Sequence, residues 1–365
     1  MTPLTAPYDT RFGALLQALS LAEDEAALLT SLPNIQYVTG YRGTCAAVIV
    51  CANQLVLITD ARYFIRSSTQ CAYHEILQSP SDMDGFLADT VHAKGVKRLW
   101  LEESMSCERW HLLSTRLSAS IESRWITPSL SALRTKKDHV ELDEIRRSTR
   151  ISIDAFLAIR QHIRNGVSEL DVAAELEYQC RKMGASTQAF PTIVASGGNS
   201  ALPHHSTSLK MLEAGDSVVI DWGARATYCS DMTRTVFIGT PSKELERIYR
   251  TVLEAQLRAI DALKCGVRLL EVDQIARSVI HNAGFGEFFG HGTGHGVGIQ
   301  IHEAPVLSPR SQEAIAEAGM VVTVEPGIYV PGVGGVRIED LIIVHDDRLE
   351  IVTAPLVKDF ESMIL

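Results

Sequence analysis

The chain has 365 residues, 46% hydrophobic and 21% charged, with no low-complexity tract; that length is too great for one small core and predicts two domains. With 44 acidic against 34 basic residues the formal charge is -10, which argues against nucleic-acid binding, since that needs a basic face. No apolar run is long enough to cross a bilayer, and the N-terminus lacks a basic segment followed by an apolar one, so neither a membrane partner nor a secretion signal is expected.

The seven cysteines, an odd number with no CxxC among them, read as reduced thiols of a cytoplasmic protein. Residues 1–30 read as an amphipathic helix. "AAVIVCANQLVLITDARYF" (46–64) reads as two strands around a turn at Asn53, and "VKRLWLEE" (96–103) as another strand. From Pro128 the composition turns from Pro/Ser-rich to highly charged, which places a domain boundary near Arg134. A long amphipathic helix should follow, with Ile145, Ile153, Phe156, Leu157 and Ile163 on or near one face, ending about Asn165-Gly166.

"GVSELDVAAELEYQCRKMG" (166–184) lies on "GVRLLEVDQIARSVIHNAG" (266–284) without a gap, each a glycine turn leading into a helix. Either the C-terminal part is duplicated, or common helix-start chemistry has produced the match by chance. A duplicated part would draw the ligands of a central site from both halves. Strands are expected at 216–224, 233–239, 319–330 and 335–346, each rich in β-branched residues and bounded by Gly, Pro or Asp.

Three of these strands carry an acid where an apolar residue is expected: Asp221 after "SVVI", Glu325 after "VVTV" and Glu339 after "GVRI". Asp231 immediately precedes the fourth. A carboxylate inside a sheet loses several kcal/mol of solvation unless it is paired or binds a metal. The bland alternative pairs each acid with Arg225, Arg234 or Arg337; it suits one acid better than four. "GHGTGHGVGIQIHEAP" (290–305) adds His291, His295 and His302, and the glycines beside His295 would let its imidazole approach a centre closely. One imidazole and four carboxylates suit two divalent cations. Oxygen-rich ligation favours Mn²⁺, Co²⁺ or Fe²⁺, with Mn²⁺ first and Zn²⁺ also compatible.

On five ordered motifs, "IVASGGNSALPHH" (193–205), "VVIDWGARATYCSDMTRT" (218–235), "GHGTGHGVGIQIHE" (290–303), "VEPGIYV" (324–330) and "GVRIEDL" (335–341), the sequence resembles the metallopeptidase family that contains Xaa-Pro aminopeptidase, Xaa-Pro dipeptidase (prolidase), creatinase and methionine aminopeptidase. "PNIQYVTGY" (33–41) and "RTKKDHVEL" (134–142) are similar to the N-terminal domain and linker of the proline-specific members. The resemblance implies an α/β (α+β) architecture: a small creatinase-like α/β domain at 1–133, then a pita-bread catalytic domain at 134–365 with two pseudo-symmetric halves. It implies a dinuclear metal site held by Asp221, Asp231, His295, Glu325 and Glu339, with Asp231 and Glu339 bridging. Glu325 would also carry the proton from water to the leaving prolyl nitrogen. His204 and His302 would hydrogen-bond the substrate and the developing intermediate, and His291 would line the pocket. Tyr228, Tyr329 and Arg337 also fall on motif positions and are carried as substrate-binding residues, although core packing suits Tyr228 and pairing with site carboxylates suits Arg337.

The implied activity is hydrolysis of the Xaa-Pro bond of a small peptide by a homodimer, dipeptidase-like, with aminopeptidase action on longer peptides as the alternative. A binding module that lost catalysis would show a missing ligand, and none is missing. Methionine aminopeptidase leaves the N-terminal domain unexplained, and creatinase-like chemistry does not need the complete ligand set.

Overall fold

The structure, a computed structural model, describes residues 4, 6–126 and 130–365, so the Pro128-Ser129 start of the expected linker lies outside the described residues. The chain divides into two compact units, Met1–Arg134 and Thr135–Leu365. The architecture is mixed α/β.

In the first unit the described strands form one sheet in the order β4-β3-β2-β1-β5-β6. These are β1 (Glu25–Leu29), β2 (Ala46–Cys51), β3 (Gln54–Thr59), β4 (Glu75–Gln78), β5 (Arg98–Leu101) and β6 (Glu122–Trp125). The helices are α1 (Tyr8–Leu19), α2 (Leu32–Thr39), α3 (Ala61–Gln70), α4 (Met83–Ala93) and α5 (Cys107–Ser114). The hairpin β2–β3 pairs Cys51 with Gln54, so its turn holds Ala52 and Asn53 as expected. The single N-terminal helix is corrected. It stops at Leu19, with Ser20 left-handed at φ 49, and "EAALL" is a strand between β2 and β5. Ala, Leu and Glu are good helix formers, but a strand buried along its whole length carries no alternating pattern to betray it.

The second unit opens with α6 (His139–Ile159), started by a capping box between Asp138 and Glu141. Ile145, Ile153 and Phe156 are buried on it, while Leu157 is 48% exposed and leaves the expected face. The α-helix also ends earlier than expected, passing into a 3-10 turn at Arg160–His162 before Gly166 takes a left-handed φ of 79°.

The two halves repeat element by element, and residue for residue through the turn and helix. Helices α7 (Glu169–Lys182) and α9 (Leu269–Asn282) begin and end 100 positions apart; α8 (Lys243–Ala262) precedes α9 as α6 precedes α7. The turn before each is closed alike: Gly166 N–H donates to Leu212 O at 3.0 Å, and Gly266 N–H to Ala316 O at 2.8 Å. Left-handed Gly215 and Gly319 then lead into the next strands.

The strands of this unit are β7 (Thr187–Gln188), β8 (Ile193–Ser196), β9 (Ser217–Trp222), β10 (Ala224–Arg225), β11 (Met232–Phe237), β12 (Gly294–Gly296), β13 (Glu303–Leu307), β14 (Val321–Val324), β15 (Gly327–Val330), β16 (Gly334–Arg337), β17 (Asp340–Val344) and β18 (Leu349–Ile351). The antiparallel ladder β8-β9-β11 of the first half is matched by β12-β14-β17 in the second, with Ser196 opposite Val218 and Gly296 opposite Val322. Three segments expected as single strands are each divided: 216–224 into β9 and β10 at Gly223, 319–330 into β14 and β15, and 335–346 into β16 and β17. In the last two the breaks fall at Glu325-Pro326 and Ile338-Glu339. Proline has no N–H to give a ladder, and both acids stand at the mouth of a strand pair rather than inside it.

Candidate metal centre

Period-two alternation sets up the first ligand. On β9, Trp222 turns into the core, where its ring stacks on Phe156 at 4.7 Å and its Nε1 donates to Ser152 O at 3.1 Å. Asp221, the residue before it, therefore faces the other side, where it lines a cavity of about 1330 Å³. Asp231, just before β11, and Glu339, just before β17, line the same cavity, as do His295 and Glu325.

Ligand atoms of Asp221, Asp231 and Glu339 all lie within 4.8 Å of one another. His295 Nε2 is 3.4 Å from Asp231 Oδ2 and 3.3 Å from Glu325 Oε1. The five expected ligands thus converge on one place. The repeat explains how: Asp221 lies next to the end of the β8-paired strand of one half as Glu325 follows the β12-paired strand of the other, and Asp231 and Glu339 immediately precede the strands that return beside them. His295 has no such twin, since Ala195 stands 100 positions earlier.

Glycines around His295 serve a different purpose from the one expected. A Cβ on Gly294 would fall 2.0 Å from Thr323 O, and one on Gly296 would fall 2.4 Å from Ala304 O. They let β12 squeeze between its neighbouring backbones, which brings the imidazole into place indirectly.

The electrostatics are those of a cation site. At 4.8 Å and an effective dielectric of 20, each carboxylate pair repels by roughly 3–4 kcal/mol. Burial first, then the charges of Glu339, Asp221 and Glu325, push the Asp231 carboxyl well above the ordinary carboxylate range. Burial and neighbouring acids do the same to Glu339. Burial also raises Glu325 and lowers His295. Asp221 Oδ1 and Glu339 Oε1 are buried without a hydrogen-bond partner, an expensive state for a carboxylate oxygen unless a cation meets it. Oxygen donors with one imidazole fit hard or borderline divalent ions. Of the arginines weighed as partners, Arg337 pairs with Asp221 at 2.6 Å, whereas Arg234 turns to Asp340 at 2.7 Å.

His204, His291 and His302 line the cavity, and the His302 ring packs edge-on against His295 with centroids 4.3 Å apart. Burial lowers both His291 and His302, so at neutral pH each is an uncharged donor or acceptor. Arg337 lines the cavity too and joins two of its walls. Its Nη2 holds Asp221, and its Nη1 donates to Tyr329 Oη at 2.8 Å and Pro203 O at 3.4 Å. Tyr329 Oη then meets His291 Nε2 at 3.0 Å. Tyr329 is not itself a lining residue; it sits behind His291 and Arg337, its hydroxyl pushed up to about 12 by burial. Tyr228 is the clearer departure from the expected substrate-binding set. Its hydroxyl donates to Glu141 Oε1 at 3.0 Å on α6, in the core and off the cavity wall.

Three residues outside the expected set stand beside the cavity's histidines or hold the stretch that carries them. His205 has a side chain only 11% exposed, lines the cavity and meets buried Glu169 at 2.9 Å. Asp273 of α9 accepts from Thr293 N at 3.1 Å and Thr293 Oγ1 at 2.9 Å, fixing the stretch between His291 and His295. Arg277 binds the same Asp273 and donates to His291 O at 2.9 Å. Each looks like an ordinary helix or loop residue until the fold assembles its partners.

The comparisons with known proteins point the same way. Residues 143–346 match the model of metallopeptidase family M24, and residues 11–135 match the creatinase/prolidase N-terminal domain. An Xaa-Pro dipeptidase of Pyrococcus horikoshii is 36% identical over 324 residues, 88% of this chain and 90% of that protein. The solved Xaa-Pro dipeptidase of Bacillus anthracis is 39% identical with a TM-score of 0.92, covering 98% of this chain and 100% of that one. An X-Pro aminopeptidase from Thermotoga maritima is 37% identical with a TM-score of 0.86, covering 94% and 99%.

Proposed function

This chain belongs to metallopeptidase family M24, and from that premise we propose that it hydrolyses the Xaa-Pro bond of dipeptides. The observation that carries the reading is the convergence of Asp221, Asp231, His295, Glu325 and Glu339 at the wall of one cavity. These five would hold two divalent ions, Mn²⁺ being the first choice for so oxygen-rich a set. Such ions supply Lewis acidity, lowering the pKa of water and polarising the scissile carbonyl.

The chain's own groups do the rest. Glu325 takes a proton from the attacking water and returns it to the prolyl nitrogen, which must leave as a secondary amine. His204 and His302, both lining the cavity, donate to the tetrahedral oxygen and the peptide backbone. His291, backed by Tyr329, lines the pocket beside them.

Dipeptidase action is favoured by Arg310. Among the arginines lining the cavity, Arg337 is committed to Asp221 and Arg277 to Asp273, while no acid partner of Arg310 is found among the described residues. A free guanidinium there suits the carboxylate of a terminal proline. Relatives of both kinds share the fold, so aminopeptidase action remains the second reading. Assays of an Xaa-Pro dipeptide against an Xaa-Pro-Yaa tripeptide decide. The dipeptide should be preferred, and R310A should raise its KM while sparing the tripeptide; tripeptide preference would favour the second reading. A cytoplasmic homodimer, proposed on the family resemblance, is tested by sedimentation. No helix of the described residues is long and apolar enough to cross a membrane.

A further inference from the structure

Glu169 begins α7, yet it does not behave as an ordinary first-turn acid. Its side chain is fully buried, and six donors converge on it. Oε1 accepts from Ser196 N at 2.7 Å, Ser196 Oγ at 2.8 Å and Asn199 Nδ2 at 3.0 Å. Oε2 accepts from His205 Nε2 at 2.9 Å, Ser208 N at 3.1 Å and Ser208 Oγ at 2.6 Å. Every donor belongs to the segment 196–208, so one carboxylate grips both its ends. These bonds outweigh the burial that opposes ionisation and hold the carboxyl down at about 2, so His205 Nε2 must carry the shared proton.

Inside that segment lies His204, a cavity residue. The segment's far side is held by Gly335 N donating to Ser200 Oγ at 2.7 Å and by Arg337 donating to Pro203 O. The repeat supplies a comparison within the molecule. The position matching Glu169 in the second half is Leu269, fully buried, so this corner of the fold closes without a carboxylate. What distinguishes the first half is the segment it must hold.

We infer that Glu169 is a positioning residue, which holds the 196–208 segment so that His204 meets the substrate. The inference rests on the role given to His204 above. A misplacement of about 1 Å in such a group costs on the order of 100-fold in rate. Glu169 does not itself line the cavity, so its effect reaches chemistry through the segment it holds, in which His204 is the residue proposed to meet the substrate.

The test is a double-mutant cycle on the metal-loaded full chain with an Xaa-Pro dipeptide. E169Q keeps the shape but turns one acceptor into a donor. It should lower kcat about 10- to 100-fold with KM changed by less than about threefold and metal content unchanged, and E169Q/H204A should be no slower than H204A. His205 gives an independent arm should E169Q fail to fold. H205A should lose rate, and H205Q, whose amide reaches where the imidazole Nε2 does, should recover most of it. Multiplicative losses in the double mutant, wild-type kinetics of E169Q, or equal losses in H205A and H205Q would each overturn the positioning role. Wild-type rates for H204A would instead overturn the reading of His204, and this inference with it.

Discussion

Arg337 donates from Nη2 to Asp221 Oδ2 at 2.6 Å, and the other oxygen of that carboxylate is buried with no hydrogen-bond partner. One guanidinium thus orients a metal-ligand candidate while its remaining donors reach Thr233 Oγ1 at 3.1 Å, Tyr329 Oη at 2.8 Å and Pro203 O at 3.4 Å. A lysine has one nitrogen and cannot span these groups. R337K should therefore cost about 10- to 100-fold in kcat/KM and weaken metal retention, as changes behind a metal ligand do. Steady-state kinetics beside a metal titration check both; activity within about twofold of wild type would rule out the orienting role.

Glu325 lines the cavity beside His295, its Oε1 3.3 Å from the imidazole Nε2. E325Q cannot exchange a proton and should lose at least about 100-fold in kcat while circular dichroism reports an intact fold. Near-wild-type turnover would remove the proton role from this residue.

Behind Glu339 stands a buried network centred on Asp340. Its Oδ1 accepts from Arg234 Nη2 and Thr353 Oγ1, each at 2.7 Å; its Oδ2 accepts from Gln256 Nε2 at 2.7 Å and from Lys358. Arg234 also donates to the backbone oxygen of Glu339 at 2.5 Å. Removing the charge leaves Arg234 buried and uncompensated, so D340N should destabilise by about 3–5 kcal/mol in urea unfolding. A loss below about 1 kcal/mol would show that the network does not brace the strand.

Asp221, Glu325 and Glu339 were legible in the sequence because an acid at the end of a β-branched run violates the pattern around it, while Asp231 and His295 were completed by the ordered motifs that carry the resemblance. The repeat was legible because Gly166 and Gly266 fill the same left-handed turn, a demand few residues other than glycine meet. β1 was not legible: Ala and Leu favour helix locally, and its place at the centre of a sheet is fixed by β2 and β5, far along the chain. The Glu169 cluster was hidden for the same reason, its donors being common loop residues until the segment closes on the helix.

Acid should expose a second fastening. Arg146 on α6 grips Glu350 with two bonds of 2.7 Å, and His345 adds a third contact at 2.9 Å. Arg146 first, then His345, holds the carboxyl at about 2, below its ordinary value of 4.5. A depressed folded-state pKa means the stabilisation is fully present above the ordinary value and is lost as pH falls from there toward 2. The melting temperature of wild type should thus fall more steeply than that of E350Q between pH 5 and roughly 2.5. Parallel curves for the two proteins would remove Glu350 from the acid response.

Everything rests on cations compensating the acids gathered around Asp231. The decisive measurement is metal stoichiometry by mass spectrometry after dialysis against Mn²⁺, with the melting temperature recorded before and after chelation. Two ions per chain, fewer than one in D231N/E339Q, and a lower melting temperature on chelation are predicted. A wild-type chain that retains no metal, or one whose metal content ignores D231N/E339Q, would contradict the account.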